Sequence, residues 1–323
     1  MPADRATPGP LVVAVLTYKR PDDLPELLPM LVQQARNADD DAWVLVVDND
    51  AEGSASKVVA QVRASLPVEQ RDALHDVVEP EVGIAAARNR ALDEAAGAHL
   101  LAFIDDDERP EEGWLATLLA CHAEHDAAGV AGAVVPDVGR IDDPWIRDGE
   151  FFVRKRHATG AALEAASTAN LLLDLRRIEE LGGIRFDPEF SLTGGSDTMF
   201  TRELVQRGGR LVWCDEAVVV DHIRTARLTR SWVLQRHFRA GNGWTRIAVK
   251  LAGNPAARLV MRLRCTLLGV VRIVLGGARA AYGRVRRSYR HQARGSRTVA
   301  RGVGMVSGAW GVQYVEYRRV KGS

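Results

Sequence analysis

The chain has 323 residues, 46% of them hydrophobic, and a net charge of +1, enough for one large α/β domain with or without an appendage. Its three cysteines, Cys121, Cys214 and Cys265, are scattered with no CxxC pair, which argues against a disulfide framework and for a reducing compartment. The near-neutral total conceals an asymmetry: from His222 onward there are 22 Lys/Arg and one acid, Glu316, so the first 221 residues carry about −20 and the rest about +21. A basic end of that kind is expected to face an anionic surface.

The N-terminus, MPADRATPGP (1–10), is polar and Pro-rich, and is expected to be disordered and not a signal peptide. Leu11–Thr17 is a short apolar, β-branched run, read as a strand. Pro21–Asn37 places Leu24, Leu27, Leu28 and Leu31 at helical spacing, with Pro21 suited to a first turn. Val44–Val47 is a second buried-strand run, and helices are expected over Ser54–Leu66 and Gly83–Ala96. His99–Ile104 is a third apolar run, Pro110–His125 a helix, and Gly129–Pro136 a strand. Arg140–Ala166 lacks periodicity and reads as a long loop. Ala169–Leu175 is apolar, Ser196–Arg207 is a helix capped by Ser196, and Leu211–Cys214 and Ala217–Val220 read as two short strands. Fully apolar strands alternating with helices predict a mainly parallel sheet between helical layers. In such sheets ligands bind beyond the carboxyl ends of the strands.

Three strand ends then carry the chemistry. Asp105, Asp106 and Asp107 follow the third run directly, and three adjacent carboxylates repel unless a cation or donors offset them. Mg²⁺ or Mn²⁺ does so well, since both prefer oxygen ligands and bridge to substrate phosphates; a solvated acidic turn is the bland alternative. Asp48 ends the second run and suits either a nucleobase or ribose contact or an Asx turn. Arg88, on the helix of GIAAARNRA, suits a diphosphate contact or a solvent-facing position. Asp197, after Gly194-Gly195-Ser196, suits a general base or a helix-start carboxylate. His222 suits a metal or substrate contact, or a structural role.

Taken in order, eight segments resemble the large inverting glycosyltransferase family 2: VLTYKRP (15–21), VVDNDAEGS (46–54), VGIAAARNRAL (82–92), FIDDDERPEEGWL (103–115), TANLLLDL (168–175), RFDPEF (185–190), LTGGSDTMFTREL (192–204) and VWCDEAVVVDH (212–222). The resemblance covers about residues 11–245 and implies a GT-A fold. It implies that Thr17, Arg20 and Asp48 hold the nucleotide and that Arg88 lies near the base or diphosphate. Asp105–Asp107 matches the DxD segment, with Asp105 or Asp106 on the ribose and Asp107 on the metal; His222 completes the metal or diphosphate contacts. Asp197 matches the acid of a Glu-Asp pair that supplies the catalytic base. Ser196 stands where the other acid of that pair is expected. The implied donor is a nucleotide sugar, a UDP-sugar first among them. The implied acceptor is a saccharide or lipid-linked intermediate of a cell-surface polysaccharide. A basic-aromatic segment, RHFRAG (236–241), matches one that borders the donor diphosphate or acceptor in the family, or else lies on a membrane.

Residues 246–323 are expected to form a basic helical region. Over 256–287 a helical wheel puts most arginines on one side and Leu259, Leu263, Leu267, Val270, Val274 and Leu275 on the other. That is the pattern of a helix lying at an anionic membrane interface. It does not span, because its longest uncharged stretch, Cys265–Val271, is far below the roughly 20 residues a crossing needs. The expected place is the cytoplasmic side of the cell membrane, held peripherally. Few aromatics and no recognised motif argue against nucleic acid as a partner. Two rivals are a sugar-nucleotide nucleotidyltransferase, whose Gly-rich loop is missing at Tyr18–Pro21, and a non-catalytic sugar-nucleotide-binding protein of a membrane assembly.

Overall fold

The structure, a computed structural model, describes residues 10–314; the expected disordered segment 1–10 falls almost wholly outside them. The chain divides into two units. The first comprises the chain up to Val135, Lys155–Ser191 and Met199–Asp221; the second comprises Pro136–Arg154, Leu192–Thr198 and the chain from His222 on.

The first unit is built on strand-helix alternation. β1 (Leu11–Thr17), α1 (Leu24–Ala38), β2 (Trp43–Asp48), α2 (Ser56–Ser65), β3 (Leu74–Val78), α3 (Ile84–Glu94) and β4 (Leu100–Asp105) follow one another. The parallel part of the sheet is β3-β2-β1-β4. β1 is buried on both faces, and its period of two is visible in the packing. Val13 and Val15 join Leu27, Leu31 and Val59 on one face; Val12 and Ala14 join Ala87, Ala91 and Phe200 on the other. A mainly parallel sheet is modified in the second half of the unit. After β5 (Glu108–Pro110), α4 (Trp114–His125) and β6 (Gly129–Asp137), the strand β7 (Asn170–Asp174) adds to β4 antiparallel and pairs with β6 antiparallel. A short helix, α6 (Leu175–Glu180), leads away from it, and α7 (Ser196–Gln206) precedes β8 (Leu211–His222). The two short strands expected at 211–220 are thus one continuous strand. Asp215, which lies between them, accepts from Arg156 Nε and Trp213 Nε1 at 2.7 and 3.0 Å. Pro110 ends β5 and does not start a helix; its Glu108–Pro110 strand pairs antiparallel with Val219–Asp221.

Asn170 pins the middle of this sheet. Its amide donates to the carbonyls of Ala133 and Ala217 at 3.0 and 2.8 Å and accepts from Trp114 Nε1 at 2.8 Å. A fully bonded buried amide fixes one arrangement of its neighbours.

The second unit is helical. Within the expected loop 140–166, Asp143 caps a short helix, α5 (Pro144–Gly149), accepting from Trp145 N at 2.9 Å. α8 (Arg230–Lys250), α9 (Pro255–Val285) and α10 (Tyr289–Ala309) follow. The boundary expected at 245/246 falls inside α8, because α10 packs along both α8 and α9 and makes the three one body. Close approach is allowed by glycine: a Cβ on Gly302 would lie 2.6 Å from the Gly269 carbonyl oxygen, and one on Gly304 would lie 2.0 Å from that of Phe238. The side of α9 away from α10 is uncovered among the described residues, with Leu263, Leu267 and Val274 at 53%, 65% and 63% exposure. No helix among the described residues is long and apolar enough to cross a membrane.

Candidate active site

The register of the parallel strands gathers the carboxyl ends. Thr17 pairs with Asp48, and Leu16 with Asp105, so the ends of β1, β2 and β4 lie side by side. The loop after β1 turns sharply at Lys19, whose φ of 53° is in the left-handed region. Arg20 emerges from that turn, and its Nη1 lies 3.4 Å from Asp106 Oδ1 and 3.5 Å from Asp107 Oδ2. The Thr17 hydroxyl donates to Asp106 Oδ2 at 2.9 Å. Asp106 and Asp107 are both buried. Burial raises the Asp106 pKa above the ordinary carboxylate value; Arg20 and the Thr17 hydroxyl oppose the rise, while Asp107 adds to it. Thr17, Arg20, Asp106 and Asp107 are therefore one cluster. Asp105, at the strand end, is half-buried, and its backbone N–H donates to Glu108 Oε2 at 3.2 Å.

Asp48 stands at the next strand end with its carboxylate turned into its own loop. Oδ1 accepts from Asp50 N at 3.0 Å, and Oδ2 accepts from Ala55 N at 2.7 Å and the Ser54 hydroxyl at 3.4 Å. This is the Asx-turn alternative realised, with Asp48 shaping the loop that starts α2. Its neighbour Asn49, which drew no notice in the sequence, reaches across to the segment leading into α3. Nδ2 donates to the carbonyls of Glu79 and Glu81 at 3.0 and 2.6 Å, and Oδ1 accepts from Gly83 N at 3.0 Å. Gly83 has a φ of 126°, and a Cβ there would strike Ser191 at 2.6 Å. α3 thus starts at a fixed point, and Arg88 on it is buried over the Phe186 ring, 5.5 Å from its centroid. The solvent-facing alternative for Arg88 does not hold. Asn89 secures the same segment by exchanging two hydrogen bonds of 2.9 Å with the Phe186 backbone.

Two expected residues belong to the second unit. Asp197 is half-buried in the first turn of α7, and its Oδ1 accepts from Thr198 N at 2.7 Å. The preceding loop uses left-handed φ values of 74° and 93° at Gly194 and Gly195, and Arg246 Nη1 from α8 holds it by donating to the Thr193 hydroxyl at 2.8 Å. Arg246 is buried, an unexpected position for a helical arginine and one that periodicity did not single out. His222 ends β8 with Nδ1 3.2 Å from Asp137 Oδ2, both side chains about half exposed.

Two buried carboxylates beside the Arg20 guanidinium are an oxygen-donor set that suits Mg²⁺ or Mn²⁺. No group of three or more His, Cys, Asp or Glu side chains arranged to hold a metal occurs among the described residues. A cation at Asp107 would draw most of its other ligands from outside this pair, phosphate and water among them, as Mg²⁺ commonly does.

Comparison with known proteins places the chain in a family. Residues 12–173 match the family model of Glycosyl transferase family 2. The succinoglycan biosynthesis protein ExoM of Rhizobium meliloti (strain 1021) is 34% identical over 242 residues, 74% of this chain and 75% of ExoM. The mannosyltransferase PcManGT from Pyrobaculum calidifontis, solved with GDP-Man and Mn²⁺, aligns with a TM-score of 0.58 at 18% identity, covering 93% of this chain and 87% of that one. S. aureus TarS 1-349 with UDP-GlcNAc aligns with a TM-score of 0.54 at 19% identity, covering 95% and 93%. The structural likenesses, at such low identity, speak for the fold, and the sequence matches for the family. With its strand-end cluster on a mixed sheet of the GT-A kind, the chain belongs to glycosyl transferase family 2.

Proposed function

We propose that this family 2 glycosyltransferase moves a sugar from a nucleoside diphosphate sugar to a hydroxyl acceptor by a single inverting displacement. The observation that carries the reading is the buried Asp106–Asp107 pair, tied to Thr17 and Arg20 at the carboxyl ends of β1 and β4. Arg20 and Arg88 are the cationic residues of this unit assigned to the donor diphosphate, and Asp105 or Asp106 takes the ribose. Asp48 acts by shaping its loop beside the nucleotide. Asp107 and His222 are the proposed metal ligands; a bound Mg²⁺ or Mn²⁺ would offset charge that develops on the diphosphate as it leaves. Asp197 takes the proton of the acceptor hydroxyl. The new bond joins acceptor oxygen to anomeric carbon, the bond from that carbon to phosphate oxygen breaks, and its electron pair leaves with the nucleoside diphosphate.

ExoM is named for succinoglycan biosynthesis, which supports a saccharide acceptor in polysaccharide assembly. PcManGT and TarS were solved with GDP-Man and UDP-GlcNAc, so nucleotide sugars of both kinds belong in the donor screen, UDP-sugars first. A lipid-linked acceptor at an anionic membrane surface is supported by the uncovered apolar side of α9, whose leucines and valines would sit at the acyl boundary with flanking arginines at headgroups. The test is an assay of the purified chain with Mn²⁺, a panel of nucleotide sugars and lipid-linked saccharides. Release of nucleoside diphosphate with a β-linked product from an α-linked donor is expected. Release of pyrophosphate would make the chain a nucleotidyltransferase, and donor binding without turnover on any acceptor would make it a binding protein.

A further inference from the structure

Within the second unit, α8, α9 and α10 surround a cavity of about 530 Å³ lined by His237, Arg272, Arg297, Thr298 and Arg301. Its charged lining is entirely cationic. None of the three arginines has a carboxylate ion-pair partner among the described residues. The acid nearest to hand, Glu150, is engaged by Arg294 and by Arg290, the latter at 3.9 Å. Burial and the neighbouring Arg294, Arg279 and Arg301 hold the Arg297 guanidinium below its usual pKa, against a smaller opposing effect of Glu150. His237 Nε2 is buried without a hydrogen-bond partner. Burial, Arg297, Arg236 and Arg301 push the His237 pKa down to about 4, so the ring is neutral near pH 7.

The backbone around this cavity is closely packed. Gly302, next to Arg301, is so close to α9 that a Cβ would lie 3.0 Å from the Arg272 Cβ. The Phe151 ring lies 5.9 Å from the Arg297 guanidinium and 5.8 Å from the His237 ring, backing both. Three like charges held together by fixed backbone cost stability unless something anionic joins them. Guanidinium forks match tetrahedral phosphate oxygens bidentately, and an imidazole N–H and a threonine hydroxyl add neutral donors. We propose that this cavity is a binding site for a phosphate or diphosphate group, held by Arg272, Arg297 and Arg301 with His237 and Thr298 as neutral partners. The volume exceeds the needs of one orthophosphate and falls in the range of small-ligand pockets. Its group is carried either by a lipid headgroup, for which Val271 and Leu275 beside Arg272 offer exposed apolar surface, or by a soluble phosphate.

The experiment uses the full chain in chelator, so that no divalent cation contributes. Melting is followed with pyrophosphate, and sedimentation with phosphatidylcholine vesicles with or without phosphatidate. The variants are Arg297→Gln/Arg301→Gln and, as a control outside the cavity, Arg284→Gln. Pyrophosphate is expected to raise the wild-type Tm and to bind the double variant at least about tenfold more weakly, since each charge-assisted contact is worth about that factor. Without anion the double variant melts cooperatively at or above the wild-type temperature, because repulsion has been removed; that transition certifies its fold independently of any donor. A matching loss of phosphatidate-dependent sedimentation assigns the group to lipid; a loss confined to pyrophosphate assigns it to a soluble ligand. The proposal is overturned if neither anion affects the wild type. It is overturned equally if the double variant responds as the wild type does, or if Arg284→Gln loses as much.

Discussion

The Thr17 hydroxyl and the Asp106 carboxylate, 89 positions apart, meet at 2.9 Å because Leu16 and Asp105 are register partners in the β1–β4 ladder. The bond joins the first strand end to the acidic triplet and sets one oxygen of Asp106 against a donor in a place where burial disfavours its charge. The Thr17→Val variant keeps the shape and removes the donor. We expect a stability loss of about 1 kcal/mol and a several-fold weaker affinity for the nucleotide sugar. Thermal melts paired with donor titrations check both; unchanged donor affinity would remove Thr17 from the site.

Asn49 is the least conspicuous residue with a large expected effect. Replacing it with Ala strands the Glu79 and Glu81 carbonyls and the Gly83 N–H together. Leaving a buried polar group unsatisfied costs about 1–3 kcal/mol; Gly83 is buried, whereas Glu79 is half-buried and Glu81 exposed, so solvent relieves part of the loss and a net of about 2 kcal/mol is expected in the melting curve. Because the same bonds fix the start of α3, the donor KM should rise with it through Arg88. A variant with lowered Tm and wild-type KM would show that the loop is only structural.

The strands of the parallel half were legible because they are buried on both faces, and burial on both faces writes an unbroken apolar run. β3 escaped for the opposite reason: only Leu74 of its five residues is fully buried, while His75 is exposed, so no run forms. β8 read as two pieces because Asp215 and Glu216 look like a turn until Arg156 is brought to them by the fold. The acidic triplet was legible as a cluster, since three adjacent carboxylates end an apolar run, and the structure buries Asp106 and Asp107 beside Arg20. Asn49, Asn89 and Arg246 were not, since an amide or a guanidinium that ties two loops together has the same local spelling as one facing water. Of the two alternatives for Asp48, the Asx turn is present in the bond from Asp50 N, and the bonds from Ser54 and Ala55 could not be foreseen from spacing.

Asp107→Asn tests the metal assignment without removing volume. If Asp107 holds a divalent cation, the variant should need a Mn²⁺ concentration higher by at least about tenfold for half-maximal activity, the worth of one lost charged contact. Its metal-free melting temperature should stay near or above that of the wild type, because a buried like-charge pair has been relieved. The checks are a Mn²⁺ titration of initial rate and a melt in chelator. An unchanged Mn²⁺ requirement would move the cation elsewhere.

His237 gives a pH dependence whose sign can be worked out. In the unfolded chain it takes a proton as pH falls through 6.5; in the folded chain it does so only near 4. Between those values the unfolded state binds more protons, so stability rises with pH across that window and is lost on acidification. The gap corresponds to a few kcal/mol at most, and partial exposure reduces it to about 2 kcal/mol. Asp143 and Asp215, whose pKa values are lowered mainly by Arg230 and Arg156, push the slope in the same direction at lower pH. The informative quantity is therefore the difference between wild type and His237→Gln in urea melts from about pH 4 to pH 7. The variant should lose less stability on acidification; parallel curves would mean that His237 titrates normally.

Asp197→Asn separates holding from chemistry in the second unit. The amide oxygen can still accept from Thr198 N, as Oδ1 does at 2.7 Å, so the first turn of α7 keeps its local bond. What is lost is the capacity to take a proton from the acceptor hydroxyl. General-base catalysis is worth about 10²–10⁴ in rate, so kcat should fall by that factor with donor KM nearly unchanged. Arg246→Gln, which releases the Thr193 hydroxyl and leaves the Asp197 carboxylate in the chain, should act differently: a smaller fall in kcat together with a raised acceptor KM, as expected of a positioning residue. If Asp197→Asn turns over normally while Arg246→Gln does not, the loop orders the acceptor and the proton goes to another group. If both are silent, the 192–198 segment takes no part in transfer.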